Sequence, residues 1–434
     1  MSPAAIGGLG AGALFVLLFL RVPVWAALTL VGFVGDAALS GWTSSLAVAG
    51  LTPFDSASTY ELSVIPLFVF MGEVASQTRL SSDLFVASRV MLAGLRGGLS
   101  VATLAASACF GAVCGSSVAT AATMTRIALP EMRKAGYDDG LATGSLAAGG
   151  SLGILIPPSI ILVIYAAIAE QSVPKLFAAA LFPGLVLTAL YIMVALIIAR
   201  FIPEYAPTQA RATLKERLAA LRGPWQFIAL FVVTIGGIYA GIFSPTEAAA
   251  IGAFGAVLLG ALGRRITWDQ LFESISNSVI VSCVLFIIII GAKLFSYFMV
   301  QTQLPAMLAV AANDFNLHGV AVMALIIVAY IVMGCFLEGI GMVLITVPVF
   351  LPIVTKFGYD PVWFAVIVVI VVELGLIHPP VGMNLFIIQA QAPDIKLTSI
   401  YRGIIPFLLA PLILIVILFV FPDLALWLPK VLYR

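Results

Sequence analysis

The sequence predicts an all-α polytopic membrane protein, an inverted repeat with two re-entrant helical hairpins and two proline-broken helices. Three observations carry that expectation. Of 434 residues, 62% are hydrophobic and 9% charged, where a soluble chain carries about 25% charged residues; mean hydropathy is +1.17. Two long apolar runs each hold a pair of consecutive prolines, in GILIPPSI (Gly153 to Ile160) and GLIHPPVG (Gly375 to Gly382). These two stretches lie at one offset, and other residues repeat at the same offset: 157 + 222 = 379, 158 + 222 = 380 and 153 + 222 = 375.

Taken in chain order, runs of about 20 apolar residues mark spans. They fall near 4–20, 23–40, 62–78, 139–168 (broken at the prolines), 176–200, 225–241, 247–263, 276–299, 361–391 (broken again) and 403–428. The first run is a span rather than a signal, since Arg21 follows it instead of preceding it. The polar stretch 203–222 reads as a linker, and no extramembrane domain is expected. A net charge of +1 offers no field for nucleic acid. The four cysteines (Cys109, Cys114, Cys283, Cys335) sit in apolar surroundings with no CxxC pair and read as small buried hydrophobes.

The repeat extends well beyond the prolines. Pro130 pairs with Pro352, Gly136-Tyr137-Asp138 with Gly358-Tyr359-Asp360, and Pro23 with Pro245. A period kept over more than 130 residues is an internal duplication, dividing the chain into 1–222 and 223–434. Short loops rich in Lys and Arg stay cytoplasmic. The segment 79–98 carries Arg79, Arg89 and Arg96, and its partner 301–320 carries none; 36–60 carries none, and its partner 258–282 carries Arg264 and Arg265. Lys134 and Lys356 are basic in both halves. Most basic residues thus change side between the halves, the mark of an inverted repeat and the plan of many secondary transporters.

The same rule places 99–125 and 319–350. Basic residues flank 99–125 on both sides, so the segment enters and returns on one face. Its polar centre CGSSVAT, Cys114 to Thr120, is the tip. The counterpart is CFLEGIGM, Cys335 to Met342, entering from the other face. The hairpins and broken helices are expected to face one another, with 1–78, 176–200, 225–299 and 403–428 as a scaffold.

Irregular backbone at membrane depth survives when it is buried in protein or lines a wet cavity. Each proline pair leaves carbonyl oxygens without helical donors. Such oxygens, at the negative end of a half-helix, suit a small hard cation; the half-helix that follows points its amides at an anion. Two cation sites are expected. The first draws on Gly111, Cys114, Gly115 and Ser116 at the tip with Gly153, Ile156 and Pro158 at the break. The second draws on Gly334, Glu338 and Gly339 with Gly375, His378 and Val381. Sodium fits better than protons, because the ligands are carbonyl and hydroxyl oxygens without a chain of intramembrane carboxylates. Ser117, Ser159, Arg126 and Asn384 are the substrate candidates. Glu73, Glu247 and Glu373 read as helix caps or bridges, and Lys293 as a snorkelling side chain.

GGSLG, Gly149 to Gly153, matches a nucleophile-elbow pattern around Ser151, but that chemistry needs a strand-to-helix turn. An intramembrane serine protease using Ser151 with His378 is the remote alternative. No HExxH or Walker sequence is present. The chain is therefore expected not to be an enzyme, to have no catalytic residues, and to need no cofactor beyond sodium as coupling ion.

The run GSSVATAATMTRIALPEMRKAGYDDGLATGSLAAGGSLGILIPPSIILVIYA (Gly115 to Ala166), with GCFLEGIGMVLITVPVFLPIV, GYDPVWF and GLIHPPVGMNLF, resembles the large membrane subunit of TRAP (tripartite ATP-independent periplasmic) transporters. The resemblance spans nearly the whole chain. It implies a sodium-coupled symporter of the bacterial inner membrane that imports a small organic acid by an elevator movement. It also implies two partners, a periplasmic substrate-binding protein and a small four-helix membrane subunit, the latter expected as a separate chain. Family roles carry over at Gly115–Ser117, Ile156–Ser159 and His378–Asn384. Glu338 and His378 replace an aspartate and a threonine of the sialic-acid-type pattern, which points away from sialic acid. The alternative reading is a stand-alone elevator-type symporter for dicarboxylates or citrate that needs no binding protein.

Overall fold

Apolar chain in a bilayer must satisfy its own backbone groups, and helices do so within one segment. A computed structural model describes residues 2–78, 80–315, 317–334 and 337–433, and among these every regular element is a helix. Arg79, Cys335 and Phe336 lie outside the described residues.

The first half holds α1 (Pro3–Phe19), α2 (Val24–Ser40), α3 (Trp42–Ser58), α4 (Val64–Gln77), α5 (Leu80–Met91), α6 (Gly98–Cys114), α7 (Ser117–Lys134), α8 (Asp139–Leu155), α9 (Ile160–Ala169) and α10 (Val173–Phe201). The linker forms α11 (Leu214–Ala220). The second half holds α12 (Trp225–Phe231), α13 (Gly237–Tyr239), α14 (Pro245–Leu262), α15 (Trp268–Gln301), α16 (Leu304–Asp314), α17 (Gly319–Gly334), α18 (Gly339–Lys356), α19 (Pro361–Ile377), α20 (Met383–Gln391), α21 (Leu397–Ile404), α22 (Leu409–Val420) and α23 (Asp423–Leu432).

The 222-residue offset governs these boundaries. For α7 and α18, 117 + 222 = 339 and 134 + 222 = 356; for α8 and α19, 139 + 222 = 361 and 155 + 222 = 377. The halves differ where the scaffold is built. The first interrupts α3 and α4 with a 3₁₀ turn at Tyr60–Ser63, whereas the second runs through as the 34-residue α15. At 1.5 Å per residue α15 is about 51 Å long, more than a hydrocarbon core of about 30 Å needs.

Among the described residues five helices are long and apolar enough to cross a membrane singly, and up to seven segments qualify when each bent pair is joined. The hairpin arms run past the expected limits of 125 and 350, to Lys134 and Lys356. Polar residues after Arg126 suggest an end by composition, yet the helices continue until glycine takes the left-handed conformation, at Gly136 (φ 77°) and Gly358 (φ 83°). The span expected at 276–299 starts earlier, at Trp268, under a Thr267 capping box. The span expected at 403–428 ends at Val420 and resumes after Pro422 as α23. Composition did not reveal α3, α5 and α16.

Both hairpin arms α6 and α7 pack on α8, and α17 and α18 pack on α19. The halves then cross: α9 packs on α18, and α20 packs on α7. The two broken helices run antiparallel. The Tyr165 hydroxyl near the end of α9 donates to the Pro361 carbonyl at the start of α19, 2.7 Å away. At the other end Gly140 in α8 meets Gly403 of α21, backbone against backbone. The fold is therefore an inverted repeat.

One end of the molecule gathers the basic residues through ion pairs. Arg265 pairs with Asp83 of α5, Arg89 of α5 with Glu131 (2.5 Å), Lys134 with Glu131 (3.0 Å), and Arg133 with Asp139 (2.9 Å) and Asp394 (2.7 Å). Arg133 holds the Asp394 carboxyl below the ordinary carboxylate range by hydrogen bonding to it. Helices α1, α2, α4, α14 and α15 pack among themselves, but α10 lies on α6, α8 and α19, and α22 lies on α10 and α19. The segments 176–200 and 403–428 thus group with the broken helices, because small residues such as Gly184, seated against Ile156, let them approach the break.

Candidate functional site

At the first break, α8 ends at Ile156 with extended backbone, and α9 starts after Ser159. Gly153 and Ile154 lose their i+4 amide donors because Pro157 and Pro158 have none. The tip of the first hairpin turns on Gly115 (φ 66°), whose amide donates to the Gly111 carbonyl at 2.8 Å. Ser116 then caps α7 by accepting from the Ala119 amide, and its carbonyl accepts from the Thr120 hydroxyl at 2.7 Å.

Tip and break meet through glycine. A Cβ on Gly111 would stand 2.5 Å from the Gly153 Cα; a Cβ on Gly153 would stand 2.7 Å from the Thr120 hydroxyl and 2.8 Å from the Ser116 carbonyl oxygen. A Cβ on Gly115 would stand 2.9 Å from the Pro158 carbonyl oxygen. Backbone oxygens of tip and break thus converge where side chains are excluded. The structure brings Gly111, Gly115, Ser116, Gly153 and Pro158 together, with Ile156 at the turn. It adds Thr120, which lay in the expected tip motif but was given no role. Cys114 is buried at the same turn, and its backbone faces Gly72 of α4.

The second break repeats this plan with looser walls. Both Pro–Pro bonds are cis. A Cβ on Gly334 or Gly375 would stand 2.7 Å from the other's Cα, so hairpin and broken helix again cross at glycine. Gly339 sits against Val372 and Ile161, a residue of the other half. Glu338 is the N-cap of α18 without a side-chain cap bond, and His378 ends α19 with its amide on the Gly375 carbonyl at 3.3 Å. Val381 is 36% exposed. Tyr401, missed in the sequence, donates its hydroxyl to the Pro380 carbonyl. No spacing signal points to it, since its counterpart is Ala179 (179 + 222 = 401).

The substrate candidates separate. Ser117 is buried at the start of α7, and Ser159 caps α9 through the Leu162 amide at 3.3 Å. Asn384 is fully buried with neither amide atom hydrogen-bonded, on a helix packed against α7 and α8. Arg126 is not at the tip. Nine residues along α7 from Ser117, about 14 Å, it lines a cleft of about 540 Å³ with Glu73, Ser76, Glu273 and Asn277, between the hairpin and α4, α5 and α15. Lys293 lines clefts between α9 and α15 and forms no ion pair among the described residues. Glu247 completes the capping box of α14, as expected. Ser151 lies inside α8, its hydroxyl on the Ala148 carbonyl (2.8 Å) and beside the Tyr191 hydroxyl (3.2 Å). Among the described residues no cluster of His, Cys, Asp and Glu could hold a metal ion.

Comparison with known proteins follows this geometry. The profile of the family described as "Tripartite ATP-independent periplasmic transporter, DctM component" matches residues 11–424. The C4-dicarboxylate TRAP transporter large permease protein of Pseudomonas aeruginosa is 34% identical over 378 residues, covering 87% of this chain and 88% of that one. The ectoine/5-hydroxyectoine TRAP transporter large permease protein of Ruegeria pomeroyi is 31% identical over 422 residues, 96% of each. The sialic acid TRAP transporter large permease protein of Vibrio cholerae is 29% identical over 372 residues, 86% of each. Among solved structures, the YdaH transporter of Alcanivorax borkumensis shares the fold with a TM-score of 0.63 at 15% identity, over 89% of this chain and 88% of that one.

Proposed function

This chain belongs to the DctM component family of tripartite ATP-independent periplasmic transporters, and from that premise we propose that it is the large permease subunit of a sodium-coupled importer of a small organic acid. The observation that carries the reading is the pair of glycine crossings. The first broken helix offers carbonyl oxygens to its hairpin tip, and the antiparallel second one crosses its hairpin arm backbone to backbone at Gly334 and Gly375. Sodium binding at Gly111–Ser116 with Gly153–Pro158, and at Gly334–Gly339 with Gly375–His378, orders the tips against the breaks. The ordered tips present Ser117, Ser159 and Asn384 to the substrate. Sodium and substrate favour the same ordered state, and that shared preference is the coupling free energy.

The proposed moving body comprises the hairpins, the broken helices, α10, α21 and α22. It slides as an elevator against α1–α4, α14 and α15. The family works with a small membrane subunit and a periplasmic binding protein, and the inner membrane is the place where those partners meet. The relatives' cargoes span dicarboxylates, ectoines and sialic acid, so the cargo class proposed here is a small carboxylate.

The test is uptake of radiolabelled organic acids into proteoliposomes holding this chain, its small subunit and the binding protein. Uptake driven by an inward sodium gradient and lost without it supports the reading. Uptake driven by a proton gradient alone overturns the coupling, and sodium-driven uptake without the binding protein indicates a stand-alone symporter.

A further inference from the structure

Glu373 is the most deeply buried carboxyl that the reading above leaves without a role. It sits on α19, fully buried, and neither carboxyl oxygen has a hydrogen-bond partner. None of the ion pairs among the described residues includes it. Its neighbours are the Leu155 amide at the end of α8 and the Tyr191 side chain of α10. The Tyr191 hydroxyl lies 3.2 Å from the Ser151 hydroxyl. The carboxyl therefore stands at the C-terminal end of α8, where helix carbonyls concentrate negative potential. Isolated negative charge in such a place costs several kcal/mol unless a positive partner joins it.

We propose that Glu373, Tyr191 and Ser151 form a third monovalent-cation site, additional to the two at the hairpin tips and resting on the sodium-coupled reading above. The unpartnered Glu373 carboxyl acts on Tyr191, whose hydroxyl pairs with that of Ser151, and carboxylate and hydroxyl oxygens are the donors a hard cation takes. The site is separate from the first. Gly153 faces Ser116 and Thr120, whereas Ser151 and Leu155 lie two residues away on either side, about 200° around the helix, and face α10 and α19. The carboxylate comes from the second repeat and the Ser151 hydroxyl from the first, so an ion here would tie the halves together behind the break.

The test is equilibrium binding of ²²Na⁺ to the full permease with its small subunit, beside the sodium dependence of uptake. Glu373→Gln should bind one ion fewer per chain than the parent, with the Hill coefficient for sodium reduced by about one (one site removed). Tyr191→Phe should keep the ion count and weaken sodium binding about fivefold. An unchanged ion count and sodium dependence in Glu373→Gln overturns the site and leaves Glu373 as a neutral structural acid. Should Glu373→Gln fail to fold, unchanged sodium affinity in Tyr191→Phe and Ser151→Ala overturns it equally. A parent that binds no sodium defeats the coupling reading itself, whatever Glu373 does.

Discussion

The two breaks share a backbone plan but not an enclosure. At the first, Ser159, Ile161 and Ile164 are buried, and α9 is covered by α18, the Tyr60–Ser63 turn and α4. At the second, the same repeat positions are Val381, Met383 and Phe386 (159 + 222 = 381, 161 + 222 = 383, 164 + 222 = 386), and all three are exposed. Serines cap both helices that meet at the first break, whereas Glu338 and Gly382 make no side-chain cap at the second. A tyrosine from α21 holds the Pro380 carbonyl instead. Duplication copies backbone geometry; the neighbours then decide how tightly each copy is held.

Four experiments test this contrast. The largest effect is expected from Gly153→Ala. The new methyl meets the Ser116 carbonyl and Thr120 hydroxyl at under 3 Å, and overpacking of this kind costs about 1–3 kcal/mol. Uptake should fall roughly 5- to 150-fold, taking 1.4 kcal/mol per decade, and sodium should no longer raise the melting temperature. Uptake and sodium-dependent melting equal to the parent's would show that tip and break do not meet in the working protein. Next is Tyr401→Phe. Loss of one hydrogen bond, about 1 kcal/mol, should weaken sodium activation about fivefold while leaving the fold intact, and the matching change at the first break is impossible because its counterpart is alanine. No change in the sodium concentration for half-maximal uptake would mean that the tyrosine does not support the second site.

Labelling gives a third measure. In a background without native cysteines, Val381→Cys should react with a small maleimide and be protected by sodium, while Ile156→Cys should stay inert. Equal labelling of both would remove the difference in enclosure. The smallest effect concerns the Arg133–Asp394 ion pair. The Asp394 carboxyl is held low by Arg133, so its contribution is complete above the ordinary carboxylate range and fades as pH falls through the lower folded value. Asp394→Asn should melt slightly below the parent at pH 7, and the gap should close on acidification; a gap that widens at low pH reverses the sign.

Much of the architecture was readable because it depends on periodic quantities. Apolar length specified helices, since no other structure satisfies backbone groups in lipid. The 222-residue repeat placed both hairpins and both breaks, and glycines at Gly111, Gly153, Gly334 and Gly375 marked where backbones touch. Basic residues forecast one common end, where the ion pairs of Arg89, Arg133 and Arg265 now lie. Side-chain partnership across the repeat carries no local signature, and there the reading failed. Arg126, a substrate candidate as the basic residue nearest the first hairpin, lines the cleft about 14 Å along α7 from Ser117. Tyr401 and Tyr191 reach their partners from helices distant in sequence, and Glu373, read as a helix cap or bridge, lies beside the Leu155 amide of α8.

Residue chemistry along the chain specifies which segments are helices, where proline leaves carbonyls without donors, and that the plan occurs twice with most basic residues on opposite sides. Those properties follow from residue chemistry within a single turn or a single span. Only the tertiary structure decided that α10 and α22 lie with the broken helices, that one break is enclosed and the other open, and which oxygens converge. Those depend on which surfaces fit against each other, and fit is a property of pairs of segments far apart along the chain.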